Sequence, residues 1–349
     1  TTRTGIKKRY RCTQENTTSL AVRAAYEAVE ASGVDIAEIG AVIVATSTAD
    51  NVFPSTAAIV QKELGLAENV LAFDLSSACT GFLHALNVGQ ALFNSTDYKY
   101  ILLIGSEQMS KILDYTDRST CVLFGDGAGA VLIKAADNMY RQINYTRGDT
   151  DVLVCRGIGA QDAYVKMNGN AVFRFAVDVL KQGIDEILKK SDMTLDDIDY
   201  IVCHQANERI INHVKKKYPG HEDKFYINIA EYGNTSAASI PIALDELAIR
   251  SSIMRLDKML GIKYPFIQGG MANIATGEFA AAVSNAGGLG LIGAGGMNTD
   301  MLRENIRKCR TLTDKPFGVN LMLMNPEADA MAELLVEENV KIVTTGAGS

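Results

Sequence analysis

The chain has 349 residues, of which 47% are hydrophobic and 21% are charged, and its formal net charge is −7. Its length predicts about two domains, its ordinary composition argues against global disorder, and its acidic balance argues against a nucleic-acid partner. No apolar run reaches the roughly 18 residues that a membrane-spanning helix needs, which argues against a membrane partner. The six cysteines are widely spaced and form no CxxC pair, so we expect no metal site and predict reduced thiols in the cytoplasm.

The first 248 residues alternate between helical and strand patterns, which predicts an α/β architecture. Apolar residues at helical spacing predict helices over 19–31, 55–64, 79–93, 171–190, 208–217 and 236–249. Short apolar or β-branched runs predict strands over 39–45, 70–75, 100–105, 120–124, 128–134 and 200–204.

The pattern of predicted helices and strands changes near residue 250. Residues 249–258 carry several charges and no strand pattern, and they predict a helical connector. Beyond them, the patterns predict strands over 265–267, 289–292, 316–323 and 340–345, and helices over 278–285, 299–310 and 326–338. This alternation is typical of a parallel barrel, which needs about 250 residues when complete. Residues 259–349 are therefore predicted to form a partial (β/α) barrel segment.

Two glycine-rich runs have the composition of phosphate-binding loops but lack their context. The run GLGLIG at 288–293 begins before the predicted strand rather than after it, so we interpret it as a helix end that leads into a strand. The run at 124–130 lies between two predicted strands, which favours a tight turn where backbones approach closely.

Three residues that are far apart in the sequence suit covalent catalysis. Cys79 lies where a buried strand gives way to a helix; the helix N-terminus would lower its thiol pKa below those of the other five cysteines, although a cysteine there can also be inert core. His204 ends a strand, where it serves either chemistry or a structural hydrogen bond. Asn234 precedes a predicted helix and could be its N-cap or form an Asx turn. A cysteine with a distant histidine and asparagine is a nucleophile pattern, but spacing alone leaves their convergence open.

One basic stretch interrupts the acidic chain. Arg209 and the lysines at 215–217 lie on one predicted helix. Such a stretch is usually a solvated face, and it could also attract an acidic partner.

Residues 1–248 resemble β-ketoacyl-acyl-carrier-protein synthase III, the condensing enzyme that initiates bacterial fatty-acid synthesis. The matching motifs have the order and spacing of that family: RTGI at 3–6 with Arg9, FPS at 53–55, SACTGF at 77–82, DR at 117–118, FGDGAGA at 124–130, HQAN at 204–207 and GNTS at 233–236. The resemblance implies a thiolase-like fold of α-β-α-β-α layers, a homodimer and no cofactor for this part. It also implies an acyltransferase that joins acyl-CoA to malonyl-acyl carrier protein in a decarboxylating Claisen condensation.

The same resemblance implies a role for each matching residue. Cys79 would be the nucleophile that takes the acyl group, while His204 and Asn234 would donate hydrogen bonds to the malonyl thioester carbonyl as enolate charge develops. The implied substrate-binding residues are Arg3 and Arg118 for CoA, Phe53 for the acyl pocket of the neighbouring subunit, and Arg209 and Lys216 for acyl carrier protein.

Residues 253–349 resemble a second family of the same pathway, the FMN-dependent enoyl-acyl-carrier-protein reductases. The matching runs are GIKYP at 261–265, QGGM at 268–271, AGGLG at 286–290, DKPFGVN at 314–320 and TTGAG at 344–348. The resemblance places Gly269, Gly270, Met271 and Asn320 near the flavin ring. Both resemblances are partial: the first lacks strands at its ends, and the second lacks the half that carries the phosphate-binding loops. We therefore expect a truncated fusion that does not bind FMN tightly.

Three functions follow from these observations. The first is the acyltransferase, carried by the domain 1–248. The second is flavin-dependent enoyl reduction by the C-terminal segment, and the third is an inactive fusion that binds carrier protein. Acylation of Cys79 separates the first function from the third, and bound flavin would favour the second.

Overall fold

The architecture is described from a computed structural model, which covers residues 4–157, 159–271 and 274–346, without the side chains of 250–258. The chain forms two compact units, residues 1–246 and 247–349. The predicted connector 249–258 is part of a continuous helix, Ser239–Leu260, rather than a separate element.

The first unit is built around a four-stranded sheet in the order β2-β1-β3-β4. Its strands are β1 (Ile39–Ala45), β2 (Leu71–Leu75), β3 (Tyr100–Glu107) and β4 (Gly127–Lys134). Strand β1 pairs in parallel with β2 and β3, whereas β4 runs antiparallel to β3. The accompanying helices are α1 (Thr17–Ser32), α2 (Thr56–Glu63) and α3 (Gly81–Ser95).

Both faces of this sheet are buried. Alternate side chains of β1 and β3 point to opposite faces, and each face packs against other elements. One face, which includes Val44 and Ile104, packs against α1 and α2. The other face, which includes Ile43 and Leu103, packs against α3 and residues 237–240. Strands that are apolar on both faces are typical of sheets covered on both sides, and the covered sheet gives a rigid base to the loops that follow its strands.

The rest of the first unit has short strands and longer helices. Its elements are β5 (Leu153–Val154), β6 (Lys166–Met167), α4 (Gly169–Ser191), β7 (Ile201–Val202), α5 (Glu208–Lys215), β8 (Phe225–Tyr226), α6 (Ile229–Tyr232) and α7 (Ser239–Leu260). Strands β5 and β6 pair antiparallel, and β7 and β8 pair in parallel. Helices α4 and α5 pack with β7 and β8 around Ile184, Ile211 and Phe225. None of the described helices has the length and apolar character to cross a membrane.

The second unit contains three parallel strands in the order β11-β10-β9. They are β9 (Gly290–Gly293), β10 (Phe317–Met322) and β11 (Val343–Gly346). Helices α8 (Gly277–Asn285), α9 (Thr299–Leu312) and α10 (Ala328–Glu337) alternate with them. Their shared core includes Ile292, Ile306 and Met331. This is the βα alternation that the sequence predicts.

Two predicted strands are wrong. Residues 120–124 form turns that end in an isolated bridge from Phe124 to Asn234, because Asp117 holds this segment through local hydrogen bonds to Thr120. Residues 265–267 form only an isolated bridge at Ile267, since the proline at position 265 cannot donate a ladder hydrogen bond.

Candidate active site

Cys79 lies in a strained turn between β2 and α3. It is the middle residue of a 3₁₀ turn, Ala78–Thr80, that directly precedes α3. Ala78 has a φ of 48°, a left-handed conformation that costs of order 1–3 kcal/mol for a residue with a side chain. Ser236, whose neighbour Ala237 packs against α3, has a φ of 50°. Strained residues in the turn of Cys79 and in this neighbouring segment point to a functional site.

The surroundings of Cys79 favour the neutral thiol, so the expectation of a lowered pKa is wrong. Burial raises the pKa of Cys79 to about 11; the polar hydroxyl of Ser236 opposes this rise, and the charge of Glu107 adds to it. Cys79 precedes the first turn of α3 instead of lying within it, so it gains less from the helix N-terminus than the sequence suggests. Burial raises the pKa of Cys309 to about 11 as well. A nucleophilic Cys79 therefore needs a route by which its proton can leave.

His204 follows β7 and is held by Ser239 at the start of α7. Its Nδ1 lies 2.7 Å from Ser239 Oγ, and the same oxygen accepts a hydrogen bond from the backbone N–H of Gln205 at 3.4 Å. Because Ser239 accepts from Gln205, its hydroxyl proton can be donated to Nδ1, which favours the tautomer with hydrogen on Nε2. Burial lowers the pKa of His204 to about 4, so the ring is neutral near pH 7 and its Nε2–H is a donor.

Asn234 is oriented by its own side-chain oxygen. Its Oδ1 accepts a hydrogen bond from the backbone N–H of Ser236 at 3.0 Å, which leaves the Nδ2 hydrogens as donors to another group. Its backbone N–H donates to the Leu123 carbonyl at 2.9 Å, and its carbonyl accepts from Gly125 at 3.0 Å. The Asx turn that the sequence allows is therefore present, and it fixes the direction of the amide donor.

The segment that begins at Asn234 links the three predicted catalytic residues. Its Ala237 packs with Phe82 of α3, a few residues after Cys79, and its Ser239 hydrogen-bonds to His204. The site thus combines a thiol, a neutral imidazole donor and an amide donor. This is the set of groups that a covalent acyl transfer with oxyanion stabilisation requires.

Two glycines of the sheet allow this segment to approach closely. A Cβ at Gly105 would lie 2.4 Å from the carbonyl oxygen of Ala237, and a Cβ at Gly129 would lie 2.7 Å from the backbone nitrogen of Ile242. Any larger residue at either position would push the segment away from β3 and β4. The two glycines therefore allow the segment to lie directly against β3 and β4.

The residues predicted to bind CoA and the acyl group are exposed where the structure describes them. Arg3 lies outside the described residues. Arg118 is exposed in the turns that precede β4. Phe53 is 84% exposed and its neighbour Val52 is 71% exposed, so the two form an apolar surface next to α2. Neither Arg118 nor Phe53 is buried in the site around Cys79.

Arg209 and Lys216 lie on one face of α5, at opposite ends. Arg209 is the second residue of the helix, and Lys216 directly follows its last residue, two turns later. Both side chains are exposed. The Arg209 guanidinium lies 5.8 Å from the centre of the Phe173 ring, which also meets the edge of His213 at 6.3 Å. The helix therefore presents a basic face that is supported by an aromatic ring.

The four residues predicted near a flavin lie together in the second unit. A Cβ at Gly270 would lie 2.2 Å from the Asn320 Cβ, so the Gly270 backbone passes directly against that side chain. Asn320 Nδ2 donates to Thr344 Oγ1 at 2.9 Å, Met271 is 45% exposed, and Gly269 has open space beside its α-carbon. These residues are gathered towards the carboxyl ends of β9, β10 and β11, where parallel barrels bind ligands.

Three polar residues near the first site are not identified from the sequence: Ser236, Ser239 and Glu107. The two serines look like ordinary residues at the start of a helix, and their contacts depend on tertiary structure. Glu107 ends the apolar run YILLIGSE and is fully buried. A carboxylate at the end of a buried strand is unusual enough to have marked the position from the sequence.

Known families match the two halves of this site. Residues 73–151, which include Cys79, match the family described as 3-oxoacyl-[acyl-carrier-protein (ACP)] synthase III. Residues 188–263, which include His204 and Asn234, match the C-terminal model of the same family. The second match extends beyond residue 248, where the sequence resemblance was expected to end.

Solved structures of the same architecture define the chain as a condensing enzyme with a thiolase-like fold. The 3-oxoacyl-[acyl-carrier-protein] synthase III of Aquifex aeolicus has 40% identity and a TM-score of 0.66, and that of Thermus thermophilus has 36% and 0.67; each comparison covers 72% of this chain and 81% of the other. The β-ketoacyl-[acyl-carrier-protein] synthase III of Clostridium acetobutylicum is 42% identical over 275 residues, which are 75% of this chain and 84% of that protein. The corresponding protein of Acholeplasma laidlawii is 46% identical over 250 residues, 70% of this chain and 79% of that protein. The chain belongs to the β-ketoacyl-acyl-carrier-protein synthase III family.

Residues 254–347 match a different family, described as nitronate monooxygenase. This match lies in the second unit and overlaps the synthase match only at 254–263. Its name differs from that of the enoyl reductases which the sequence resembles, so the reductase assignment stays a prediction.

Proposed function

We propose that the chain catalyses the decarboxylating Claisen condensation of an acyl-CoA with malonyl-acyl carrier protein. The observation that carries this proposal is that one short segment holds Asn234, hydrogen-bonds to His204 and packs against the start of the helix that follows Cys79. The test is to supply acetyl-CoA and malonyl-acyl carrier protein and to follow the release of carbon dioxide with the formation of the condensed acyl-carrier product. An acylated enzyme that forms no such product would contradict the condensation.

The first half-reaction is acyl transfer to Cys79. The thiolate attacks the carbonyl carbon of the acyl thioester, a new S–C bond forms, and the CoA sulfur leaves. Because Cys79 is neutral in its surroundings, its proton must leave before the attack. The product is an acyl-enzyme that waits for the second substrate.

The second half-reaction uses the two donors. The malonyl thioester carbonyl accepts hydrogen bonds from His204 Nε2–H and Asn234 Nδ2–H while carbon dioxide leaves and enolate charge develops on that oxygen. The resulting carbon nucleophile attacks the acyl group on Cys79, and the thiolate is released. A neutral His204 with hydrogen on Nε2 can serve this role, because its Nε2–H donates a hydrogen bond to that oxygen.

Charge reversal on α5 is expected to weaken the use of carrier protein. In Arg209→Glu and Lys216→Glu, the basic face would repel an acidic carrier, so the apparent KM for malonyl-acyl carrier protein rises, while acylation by acetyl-CoA hardly changes. Added salt should have the same effect on the unmodified protein, since it screens exposed charges. Lys62→Glu, an exposed lysine on α2, makes the same change of charge away from this face and is the control. If neither salt nor charge reversal changes this KM, Arg209 and Lys216 do not bind carrier protein and are only part of a solvated face.

The exposed pair Val52 and Phe53 supports a homodimer. By the family resemblance Phe53 would line the acyl pocket of the neighbouring subunit, and its exposure on the protomer suits that role. All six cysteines are free, which supports a reducing, cytoplasmic location.

The second candidate function, flavin-dependent enoyl reduction, belongs to residues 247–349. The gathering of Gly269, Gly270, Met271 and Asn320 near one sheet edge favours contact with a flat ring. A chain that joined this activity to the synthase would be multifunctional.

We nevertheless expect the protein not to bind FMN tightly or to reduce enoyl thioesters. Barrels commonly hold the ligand phosphate in loops after strands 7 and 8, and the described part of this unit contains three paired parallel strands. Titration of the whole chain with FMN, followed by flavin fluorescence, should show no sub-micromolar binding. Such binding, or enoyl reduction that depends on NAD(P)H, would make the reductase the primary function.

A further inference from the structure

Glu107 is a buried carboxyl group that joins two segments of the first site. The residue is fully buried at the end of β3. Its Oε2 accepts hydrogen bonds from Thr48 Oγ1 at 2.6 Å, the Ser47 backbone N–H at 3.1 Å and Thr46 Oγ1 at 3.3 Å. Its Oε1 accepts a hydrogen bond from Ser236 Oγ at 3.1 Å. The proposed condensation gives this carboxyl group no role.

The donors on the Oε2 side are themselves fixed in place. Thr48 Oγ1 accepts a hydrogen bond from the backbone N–H of Gln108 at 2.9 Å, and Thr46 Oγ1 accepts one from the Thr48 backbone N–H at 3.2 Å. Each hydroxyl group therefore directs its own proton to the carboxylate. The backbone N–H of Thr46 also donates to the Leu75 carbonyl at 3.1 Å, which fastens the loop after β1 to the end of β2. The carboxylate thus presents a fixed Oε1 acceptor to Ser236.

Ser236 has a backbone conformation that needs support. Its φ of 50° lies in the left-handed region, which is unfavourable for a residue with a Cβ and which glycine adopts freely. Such a residue persists only where the surrounding structure holds it. Ser236 is buried; its hydroxyl group donates to Glu107 Oε1, and its backbone N–H donates to Asn234 Oδ1 at 3.0 Å. One strained residue therefore connects the buried carboxylate to the amide of Asn234.

We propose that Glu107 and Ser236 are positioning residues for the amide donor of Asn234. The carboxylate holds the Ser236 side chain, and this keeps the residue in the left-handed conformation in which its N–H meets Asn234 Oδ1. Because Oδ1 is engaged, the Nδ2 hydrogens are kept for the malonyl thioester carbonyl. A donor that is oriented before charge develops stabilises an oxyanion most effectively. The inference rests on the proposed condensation, in which Asn234 acts on the developing enolate.

Two variants separate the hydroxyl group of Ser236 from its backbone conformation. Ser236→Ala loses the hydroxyl group and keeps a Cβ, so the left-handed conformation loses its support and stays unfavourable. Ser236→Gly loses the same hydroxyl group, but glycine adopts a positive φ without a steric penalty. If Glu107 acts by holding the backbone, glycine should replace its effect. If the hydroxyl group itself were needed, the two variants should behave alike.

The first measurement is the single-turnover release of carbon dioxide from malonyl-acyl carrier protein by the acetylated protein. Ser236→Ala should slow this release about tenfold, because a misdirected donor forfeits part of the about 10²–10³ that a preorganised donor contributes. Ser236→Gly should recover most of that loss. Acylation by acetyl-CoA, measured separately, should be equal in the two variants, since both lack the same hydroxyl group. In Asn234→Ala, the further change Ser236→Ala should slow the release no more.

The second measurement is the melting temperature, which does not depend on condensation. Asn234→Ala removes the acceptor of the Ser236 N–H. In Ser236→Gly the left-handed conformation persists, so adding Asn234→Ala should lower the melting temperature further. In Ser236→Ala that hydrogen bond is already lost, so adding Asn234→Ala should hardly change it.

Glu107→Ala tests the carboxylate directly. It should slow the release of carbon dioxide as Ser236→Ala does, and the double variant with Ser236→Gly should recover most of the rate. The substitution leaves the buried donors of residues 46–48 without their acceptor, which is strongly destabilising. Where Glu107→Ala does not fold, the Ser236 variants carry the test.

Ser106 provides the matched control. It is a fully buried serine of β3 whose hydroxyl group donates to the Thr17 carbonyl at 2.7 Å. Because it lies in an extended strand, Ser106→Gly should show no gain over Ser106→Ala in either measurement.

Two results would overturn the positioning role. One is equal release of carbon dioxide by Ser236→Ala and Ser236→Gly; the other is an equal effect of Asn234→Ala on the melting temperature in both backgrounds. An unmodified protein that releases no carbon dioxide would instead contradict the proposed function. The melting temperatures would then still decide whether Glu107 and Ser236 hold the Asn234 side chain.

Discussion

Cys79→Ser is expected to abolish both the acyl adduct and condensation. The buried site already disfavours a thiolate, and the serine hydroxyl has a far higher pKa than a thiol, so no usable alkoxide forms there. The expected result is the complete loss of acetyl transfer from acetyl-CoA, measured by the mass of the protein and of its peptides.

The other five cysteines serve as internal controls for this experiment. Their positions are Cys12, Cys121, Cys155, Cys203 and Cys309. Cys155 is exposed and would be the easiest to label without specificity. An adduct on any of these residues, with Cys79 unmodified, would contradict the assignment of the nucleophile.

His204→Ala and Asn234→Ala are expected to separate the two half-reactions. Both variants should still acylate Cys79, because the two donors act on the malonyl thioester rather than on the acyl-CoA. Loss of one preorganised donor to an oxyanion costs about 10²–10³ in rate, so decarboxylation and condensation should fall by that factor. Single-turnover measurements of acylation and of carbon dioxide release read the two steps separately.

The variant of Ser239 gives the control for His204. Ser239→Ala removes the group that holds Nδ1 but keeps the ring, so it should slow decarboxylation less than His204→Ala does. Normal condensation in both His204→Ala and Asn234→Ala would show that the linked residues are not a catalytic set.

Much of the scaffold is predictable from the sequence, because its longer strands and helices are specified by patterns of neighbouring residues. Strand β1 has the predicted bounds, and β3 and α3 are close to them, because their apolar runs and helical spacing agree with the fold. The two-residue strands β5, β6 and β8 are too short for a period to show, whereas β7 lies within the predicted strand 200–204. Their pairing depends on residues that are distant in sequence.

The members of the candidate site are a prediction from the sequence, whereas its electrostatics could not be predicted. Cys79, His204 and Asn234 can be named from motifs, whereas the high pKa of the Cys79 thiol depends on burial and on Glu107, which no motif reveals. The helix-start argument fails because Cys79 lies in a 3₁₀ turn ahead of the helix. Local sequence shows which groups are present, but only the packed structure shows which of them can hold a charge.

The most direct test of the central claim is the intact mass of the protein after incubation with acetyl-CoA alone. If the chain is a condensing enzyme that works through Cys79, the mass should increase by one acetyl group, and the acetylated peptide should contain Cys79. Subsequent addition of malonyl-acyl carrier protein should remove the acetyl group as condensed product. A protein that stays unmodified would contradict the account and would favour an inactive fusion that only binds carrier protein.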